Sequence, residues 1–307
     1  MTELLHAKWL VFCKILFVKI PILISAWAVL TASLLFSTDI PALEEKAKQG
    51  DADAQFELAR ACLKGDGVQK NPLRAFELMT YAANQGHAEA MGGVGFFYAN
   101  GIAVTKDASK AVEWFRKGAE KGGPKAQLNL GMMLAEGKGG AKNEEEGRKW
   151  IKAAADQGQP DAAHTFGTIL YFGKYGQSAD YAAAYPYLLK AAESGNPDAR
   201  NLVGVMLEHG QGVACDAAQA EGWYRKAAEQ NHAKAQANLG RLLGPENQEA
   251  AKRMESLTWL LVAAGQGEIT AEKLLEEIRT GLNPDELAQA KNKAAELQKT
   301  FRSGASK

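Results

Sequence analysis

The side chains most often used for catalysis or metal binding are few in this sequence, and their spacing suits neither task. The five histidines include no H-x-x-x-H pair and the three cysteines include no C-x-x-C pair, so the usual spacing of zinc ligands is missing. Neither the serine-nucleophile string G-x-S-x-G nor the phosphate-binding string G-x-x-x-x-G-K-S/T occurs. We therefore predict no catalytic residues, no metal and no cofactor, and a chain that is not an enzyme.

The charge balance argues against nucleic acid as a partner. The 307 residues include 36 Lys+Arg and 36 Asp+Glu, and 46% are apolar, enough for a sizeable core. A protein that binds a phosphate backbone needs a basic face, and the totals show no basic excess. Cys62 and Cys215 stand too far apart for a disulfide framework, which leaves the redox compartment open.

Residues 1–40 are predicted to associate with a membrane. Three lysines precede residues 20–36, an uncharged run of 17 residues, which as a helix would be about 26 Å long and near the lower limit for a bilayer. Because the positive charges lie on the N-terminal side of the apolar run, the N-terminus is predicted to lie in the cytoplasm and the remainder outside it. An uncleaved anchor over residues 15–36, a cleaved signal peptide and a buried core helix remain open. The expected location is the bacterial inner membrane with the remainder facing the periplasm, or the periplasm or medium after cleavage.

The remainder of the chain repeats itself about every 36 residues. The repeat is marked by the column Gly50, Gly86, Gly122, Gly158, Gly195 and Asn231, with intervals of 36, 36, 36, 37 and 36. Taking this column as position 1 defines units one to six within a repeat domain at 41–266: 50–85, 86–121, 122–157, 158–194, 195–230 and 231–266. Residues 267–307 are predicted to form capping helices and a tail.

Each unit has the pattern of two helices that pack closely. Position 5 is always alanine, position 10 is alanine or glycine, and positions 9 and 13 are apolar in most units, which places one apolar face on a helix. Position 29 is aromatic in five units, and we expect this column to fill the space between helices: Trp114, Trp150, Tyr187, Trp223 and Trp259. Four of the six tryptophans share this column.

The helix boundaries are also predicted by residue type. Position 22 holds Asn or Asp in units one to five, as suits a helix N-cap: Asn71, Asp107, Asn143, Asp180 and Asp216. Glycine pairs such as Gly137 and Gly139 precede these caps and indicate turns, rather than nucleotide loops, because no strand precedes them. His87 and His232 share position 2, and we interpret them as solvent-exposed turn residues.

Whole units resemble a known family. Strings such as AQFELARACLKGDGVQKNPLRAFELMTYAANQG and ARNLVGVMLEHGQGVACDAAQAEGWYRKAAEQN are similar to the Sel-1-like repeat, a relative of the tetratricopeptide repeat with a glycine-rich loop. The resemblance covers 217 of the 307 residues. It implies an all-α fold, a right-handed α-solenoid that serves as an adaptor for protein complexes and is often exported in bacteria. Cysteine-rich members linked to β-lactam binding carry paired cysteines in each repeat, and no unit here has two.

A partner-binding surface is predicted on the first helices, which in this family line the concave face. Position 11 varies most, with arginines at both ends and apolar residues between: Arg60, Phe96, Met132, Thr168, Val205 and Arg241. Position 8 adds polar groups one turn away: Glu57, Asn129 and Asn238. Position 12 is also apolar, and because only one of two adjacent columns can point fully inward, position 11 could instead be core.

Three functions remain open from sequence. The first is a non-catalytic scaffold in the bacterial envelope that binds a protein or peptide on the concave face. The second is an envelope hydrolase or cell-wall-binding protein, favoured only by location and family association. The third is a secreted effector or an immunity-type protein that binds one foreign protein.

Overall fold

The computed structural model describes residues 39–244, 248–278 and 281–304, and within them the chain forms fifteen α-helices and no β-strand. Helix α1 (Ile40–Lys48) precedes unit one. The first helices of the units are α2 (Ala52–Lys64), α4 (Ala88–Asn100), α6 (Pro124–Glu136), α8 (Pro160–Phe172), α10 (Pro197–His209) and α12 (Ala233–Leu243). The second helices are α3 (Pro72–Asn84), α5 (Ala108–Glu120), α7 (Glu144–Asp156), α9 (Tyr181–Glu193), α11 (Ala217–Ala228) and α13 (Ala250–Ala264). Helices α14 (Ile269–Ile278) and α15 (Pro284–Arg302) follow.

The helices stack in chain order. Consecutive helices pack against each other from α1 to α14, and α15 packs on α13. Because the main helix–helix contacts join neighbouring units, the hydrophobic core runs along the array instead of closing into one centre. The fold is therefore an all-α solenoid of helical hairpins.

The predicted N-caps of the second helices are confirmed in units one to five. Asn71, for example, accepts a hydrogen bond from the backbone N–H of Arg74 at 3.0 Å, and Asp107 accepts one from Lys110 at 2.9 Å. Each such bond satisfies a backbone donor that the first turn leaves unpaired. In unit six Glu249 stands at the N-cap of α13, and its side chain makes no capping hydrogen bond to the first turn.

In units two to six, close helix packing depends on glycine at position 10. A Cβ on Gly131 would lie 2.6 Å from both the carbonyl oxygen of Gly147 and the side chain of Ile151. Gly204 meets the ring of Tyr224 in the same way. Ile151 and Tyr224 belong to position 30, which is fully buried in both units. Position 10 therefore sets how near the two helices of a hairpin approach.

The aromatic column at position 29 lies at the edge of the core in most units, so its predicted role needs correction there, whereas Trp259 is buried in the core as predicted. Trp114, Trp150 and Trp223 are only partly buried, whereas the neighbouring position 30 fills the space between the helices. The indole N–H of Trp150 donates to Glu146 at 3.3 Å, and Trp259 repeats this bond with Glu255. Indoles at this edge keep a polar end near solvent, which aromatic size alone did not indicate.

The prediction that His87 and His232 are exposed turn residues is wrong. Both side chains are only 14% exposed and cap the helices α4 and α12. The Nδ1 atom of His232 accepts from the N–H of Ala235 at 3.1 Å, while Nε2 lies 3.0 Å from Asp198 of the preceding unit. The imidazole is held in a partly enclosed position because one ring nitrogen caps the helix and the other lies beside a carboxylate. A turn residue without these contacts would remain exposed to solvent.

Helix α1 was not predicted and acts as the second helix of an incomplete hairpin. Its buried Ala47 packs with unit one, and the Gln55 amide donates to the Ala47 carbonyl at 3.1 Å. Equivalent bonds join Gln127 to Ala119 and Gln236 to Ala228 in units three and six. The structure thus extends the repeat before position 1 of unit one.

The predicted anchor or signal segment, residues 15–36, lies outside the described residues. Among the helices that the structure describes, none combines the length and the apolar character needed to cross a bilayer.

Candidate peptide-binding cleft

Positions 11 and 12 have different environments on the first helices. Position 12 is buried in units one, two, four and five, as at Phe97 and Met206, whereas no residue at position 11 is buried. Phe96 and Met132, both at position 11, are 43% and 37% exposed. The structure therefore assigns position 12 to the core and leaves position 11 toward solvent.

Phe96 and Met132 border one cleft of about 660 Å³ between units two and three. Its apolar lining also includes Ala99, Phe115 and Met133, supplied by α4, α5 and α6. The small Ala99, at position 14 of α4 and three residues after the exposed Phe96, leaves room for the cleft. Two large apolar side chains here remain in contact with water, at the free-energy cost of hydrating apolar surface.

The polar groups around the cleft are only partly engaged. The Asn129 side chain lines the cleft and has no hydrogen-bond partner among the described residues. Asn100 donates one hydrogen bond to the Phe96 carbonyl at 2.9 Å. Glu136 and Lys138 form an ion pair at 2.5 Å, which raises the pKa of Lys138, while Lys106 has no ion-pair partner in the part of the chain described. An amide and an ammonium group are thus free to bind another molecule.

The equivalent surface of units five and six is occupied by its own side chains. The Asn238 amide donates to Asn201 at 2.9 Å, and Arg241 binds Glu208 at 2.7 Å. The Tyr224 hydroxyl donates to the same carboxylate at 2.8 Å. Burial raises the pKa of Glu208, but the bonds from Arg241 and Tyr224 outweigh it and hold that pKa below its ordinary value. Asn238 and Arg241 are therefore already committed within the protein.

The remaining predicted residues lie elsewhere along the array. Arg60 binds Glu57 at 2.9 Å and lies over the Phe56 ring at 5.7 Å. Val205 is half-buried, and the buried hydroxyl of Thr168 has no hydrogen-bond partner within the described residues. Of the nine candidates, only Phe96, Asn129 and Met132 meet in the cleft.

The charged rim of the cleft was missed by the sequence analysis. Lys106 stands at position 21, directly before the N-cap Asp107, and Lys70 and Lys142 share that column in units one and three. Lys138 lies in the glycine loop between the helices of unit three. These lysines lie in loops outside the columns of the first helices, and the recurrence of lysine at position 21 is the sequence signal that marks Lys106.

No alternative centre for chemistry stands out among the residues described. In the ranges 39–244, 248–278 and 281–304 no three His, Cys, Asp or Glu side chains are grouped so that they could hold a metal ion. Cys62 is buried, and burial raises the pKa of its thiol. The cleft between units two and three therefore stays the candidate site.

Comparison with known proteins agrees with this architecture. The model of the Sel1 repeat matches six times, over residues 52–87, 88–123, 124–159, 162–196, 197–232 and 233–267. A search of curated proteins gave no match.

Two solved structures illustrate the likeness. The protein c5321, described as a protective antigen present in uropathogenic Escherichia coli strains, is 28% identical with a TM-score of 0.73, over 86% of this chain and 56% of that one. A Sel1 repeat protein from Oxalobacter formigenes is 30% identical with a TM-score of 0.57, over 70% of this chain and 86% of that one. The chain thus spans little more than half the length of the first. With six matched repeats covering most of its length, the chain belongs to the Sel1 repeat family.

Proposed function

We propose that this protein is an interaction scaffold that holds an extended segment of a partner protein in the cleft between units two and three. Sel1-repeat proteins act as protein-interaction scaffolds, which supports the general role. The observation that carries the specific proposal is the pair Phe96 and Met132, exposed on either side of a cleft whose Asn129 amide is unpaired.

The cleft offers the two kinds of contact that a peptide needs. Burying the exposed parts of Phe96 and Met132 against an apolar partner side chain removes apolar surface from water, and aromatic residues and methionine are enriched at such interfaces. The Asn129 amide both donates and accepts, so it can pair with one peptide unit of an extended backbone. This arrangement binds without forming or breaking a covalent bond.

We also propose that the scaffold works in the bacterial envelope. The support is the sequence of residues 1–40, where lysines precede an uncharged apolar run. N-terminal sequencing of the protein recovered from fractionated cells tests this. An intact or cleaved N-terminus in the membrane or periplasmic fraction agrees with the proposal, whereas recovery only from the cytoplasm contradicts it.

The binding proposal is tested by removing the two anchors together. A random peptide library is selected on the full-length chain, and the affinity of the recovered peptides is measured for Phe96→Ala/Met132→Ala. We expect affinity to fall at least about tenfold, because buried apolar anchors dominate binding energy. The matched control is Phe172→Ala/Ile269→Ala, which removes exposed apolar side chains, 55% and 63% exposed, from other parts of the surface. Equal affinities for both double variants would contradict the proposal.

A further inference from the structure

We infer that the cleft selects partner segments in which an acidic side chain lies close to the apolar anchor. This inference rests on the proposed function and adds the chemistry of the partner. It follows from the charges around the cleft, which the apolar lining alone does not specify.

The charged side chains that line the cleft carry a net positive charge. They are Lys106, Glu136 and Lys138. Glu136 is already bound by Lys138 at 2.5 Å, so this pair presents little net charge to a ligand. Lys106 has no ion-pair partner among the described residues and is exposed. The uncompensated charge at this site is therefore an ammonium group.

The nearby charges do not cancel this ammonium group. Lys110, one turn into α5, is paired with Asp107 at 3.7 Å, and the Asp107 carboxylate also caps that helix. Lys142 in the next loop is bound by Glu144 at 2.6 Å. Each neighbouring carboxylate is thus engaged with another group, and a partner's carboxylate would meet Lys106 without having to displace one.

The same arrangement disfavours a basic partner. A lysine or arginine beside the apolar anchor would approach Lys106 and would find Glu136 occupied. Like charges at an interface reduce affinity, and opposite charges speed association and favour one partner over another. The free N–H groups of Asn129 and Asn100 add hydrogen-bond capacity for carboxylate oxygens, whereas Glu136, the acidic residue that lines the cleft, is already bound by Lys138.

The size of the charge effect separates it from the apolar effect. An exposed ion pair contributes modestly, so we expect Lys106→Ala to weaken acidic peptides about two- to fivefold at low salt, less than loss of the two apolar anchors. The loss of affinity caused by Lys106→Ala should shrink as salt rises toward about 1 M, where the screening length is about 3 Å.

The test uses peptides recovered from a random library on the full-length chain, each resynthesised with its acidic residues replaced by lysine. Binding to the wild-type chain, Lys106→Glu and Lys70→Glu is compared. Lys70 is the matched control because it shares position 21, is exposed and has no ion-pair partner in the described residues, yet lies outside the cleft. We expect the wild-type chain and Lys70→Glu to prefer the acidic peptides and Lys106→Glu to prefer the lysine versions.

Other outcomes would overturn either the preference for acidic partners or the cleft itself. Peptides that depend on Phe96 and Met132 but show no acidic preference, or an equal response to Lys106→Glu and Lys70→Glu, would overturn this inference and leave the proposed cleft standing. Peptides whose binding is insensitive to Phe96→Ala/Met132→Ala would overturn both.

Discussion

Units two and three and units five and six present the same columns to solvent, yet only the first pair leaves them available. Asn129 and Asn238 both stand at position 8, and only Asn238 is bound within the protein, by Asn201. The difference lies at position 7 of the preceding unit, which is Gly92 in unit two and Asn201 in unit five. An identical amide is therefore free in one region and engaged in the other.

Position 14 produces the second difference between the two regions. In unit two it is Ala99, which leaves room for the cleft, whereas in unit five it is Glu208, which binds Arg241 and Tyr224. The repeat thus fixes where each side chain stands, and the residue contributed by the neighbouring unit decides whether it can bind a partner. Function in such an array is encoded in departures between units.

The largest effect is expected from replacing the glycine at position 10, because the two helices of each hairpin pack closely at that glycine in both regions. Gly131→Ala should lower the free energy of unfolding by about 2–3 kcal/mol, because its Cβ would meet the Gly147 carbonyl in a tightly packed contact. Gly204→Ala should cost a similar amount against Tyr224. The control is Gly222→Ala, because a Cβ at Gly222 would meet open space. This variant should raise the free energy of unfolding by about 0.5–1 kcal/mol, since alanine favours a helix more than glycine does. Urea unfolding midpoints measure all three, and a neutral Gly131→Ala would show that the approach is not required.

A smaller effect is expected from opening the occupied surface of units five and six. Glu208→Gln should cost about 1–2 kcal/mol, because Arg241 and Tyr224 lose a charged acceptor. Since the pKa of Glu208 is lowered in the folded state, its contribution is present above the unfolded value of about 4.5 and disappears as pH falls through the folded value. Denaturant unfolding between pH 3 and pH 7 should therefore show a gap between wild type and variant that closes in acid. A gap independent of pH would contradict this account.

The two asparagines provide a matched pair of still smaller effects. Asn238→Ala should lower the free energy of unfolding by about 1 kcal/mol, because Asn201 loses its donor, whereas Asn129→Ala should change it by less than about 0.5 kcal/mol. In peptide binding the order should reverse, with Asn129→Ala the more harmful. Equal costs in stability would remove the distinction between the two regions.

The smallest effect concerns Thr168, which occupies position 11 between the two regions. Its buried hydroxyl lacks a partner in the described residues, so Thr168→Val should be neutral or stabilise by up to about 1 kcal/mol. Thr258→Val is the control, because the Thr258 hydroxyl is bound to the Met254 carbonyl at 2.7 Å. Thermal unfolding should order the variants accordingly, and a destabilised Thr168→Val would indicate a bond to a buried water.

Sequence periodicity predicted the hairpins and their caps because both are local. Asn71 and Asp107 cap the helices that begin directly after them. Glycine at position 10 indicates close helix packing because it has no side chain to keep the helices apart. What sequence could not predict were contacts between units, such as His232 with Asp198 and Asn238 with Asn201. These pairs are more than thirty residues apart, and neither partner identifies the other by type alone.

The cleft illustrates the same limit. Phe96 and Met132 could be selected as exposed variable residues once position 11 was considered, but their joint border with Asn129 depends on how α4 and α6 are spaced. Lys106 lies in a loop outside the helical columns. Its significance comes from the ion pair between Glu136 and Lys138, which leaves it as the uncompensated charge.

The most direct test of the central comparison is photo-crosslinking of a selected peptide to full-length chains that carry p-benzoylphenylalanine at position 96 or, separately, at position 205. Both residues belong to position 11, one in the open region and one in the occupied region. We expect strong crosslinking from the site of Phe96 and a yield at least about tenfold lower from the site of Val205. Equal yields, or a higher yield from the site of Val205, would contradict it.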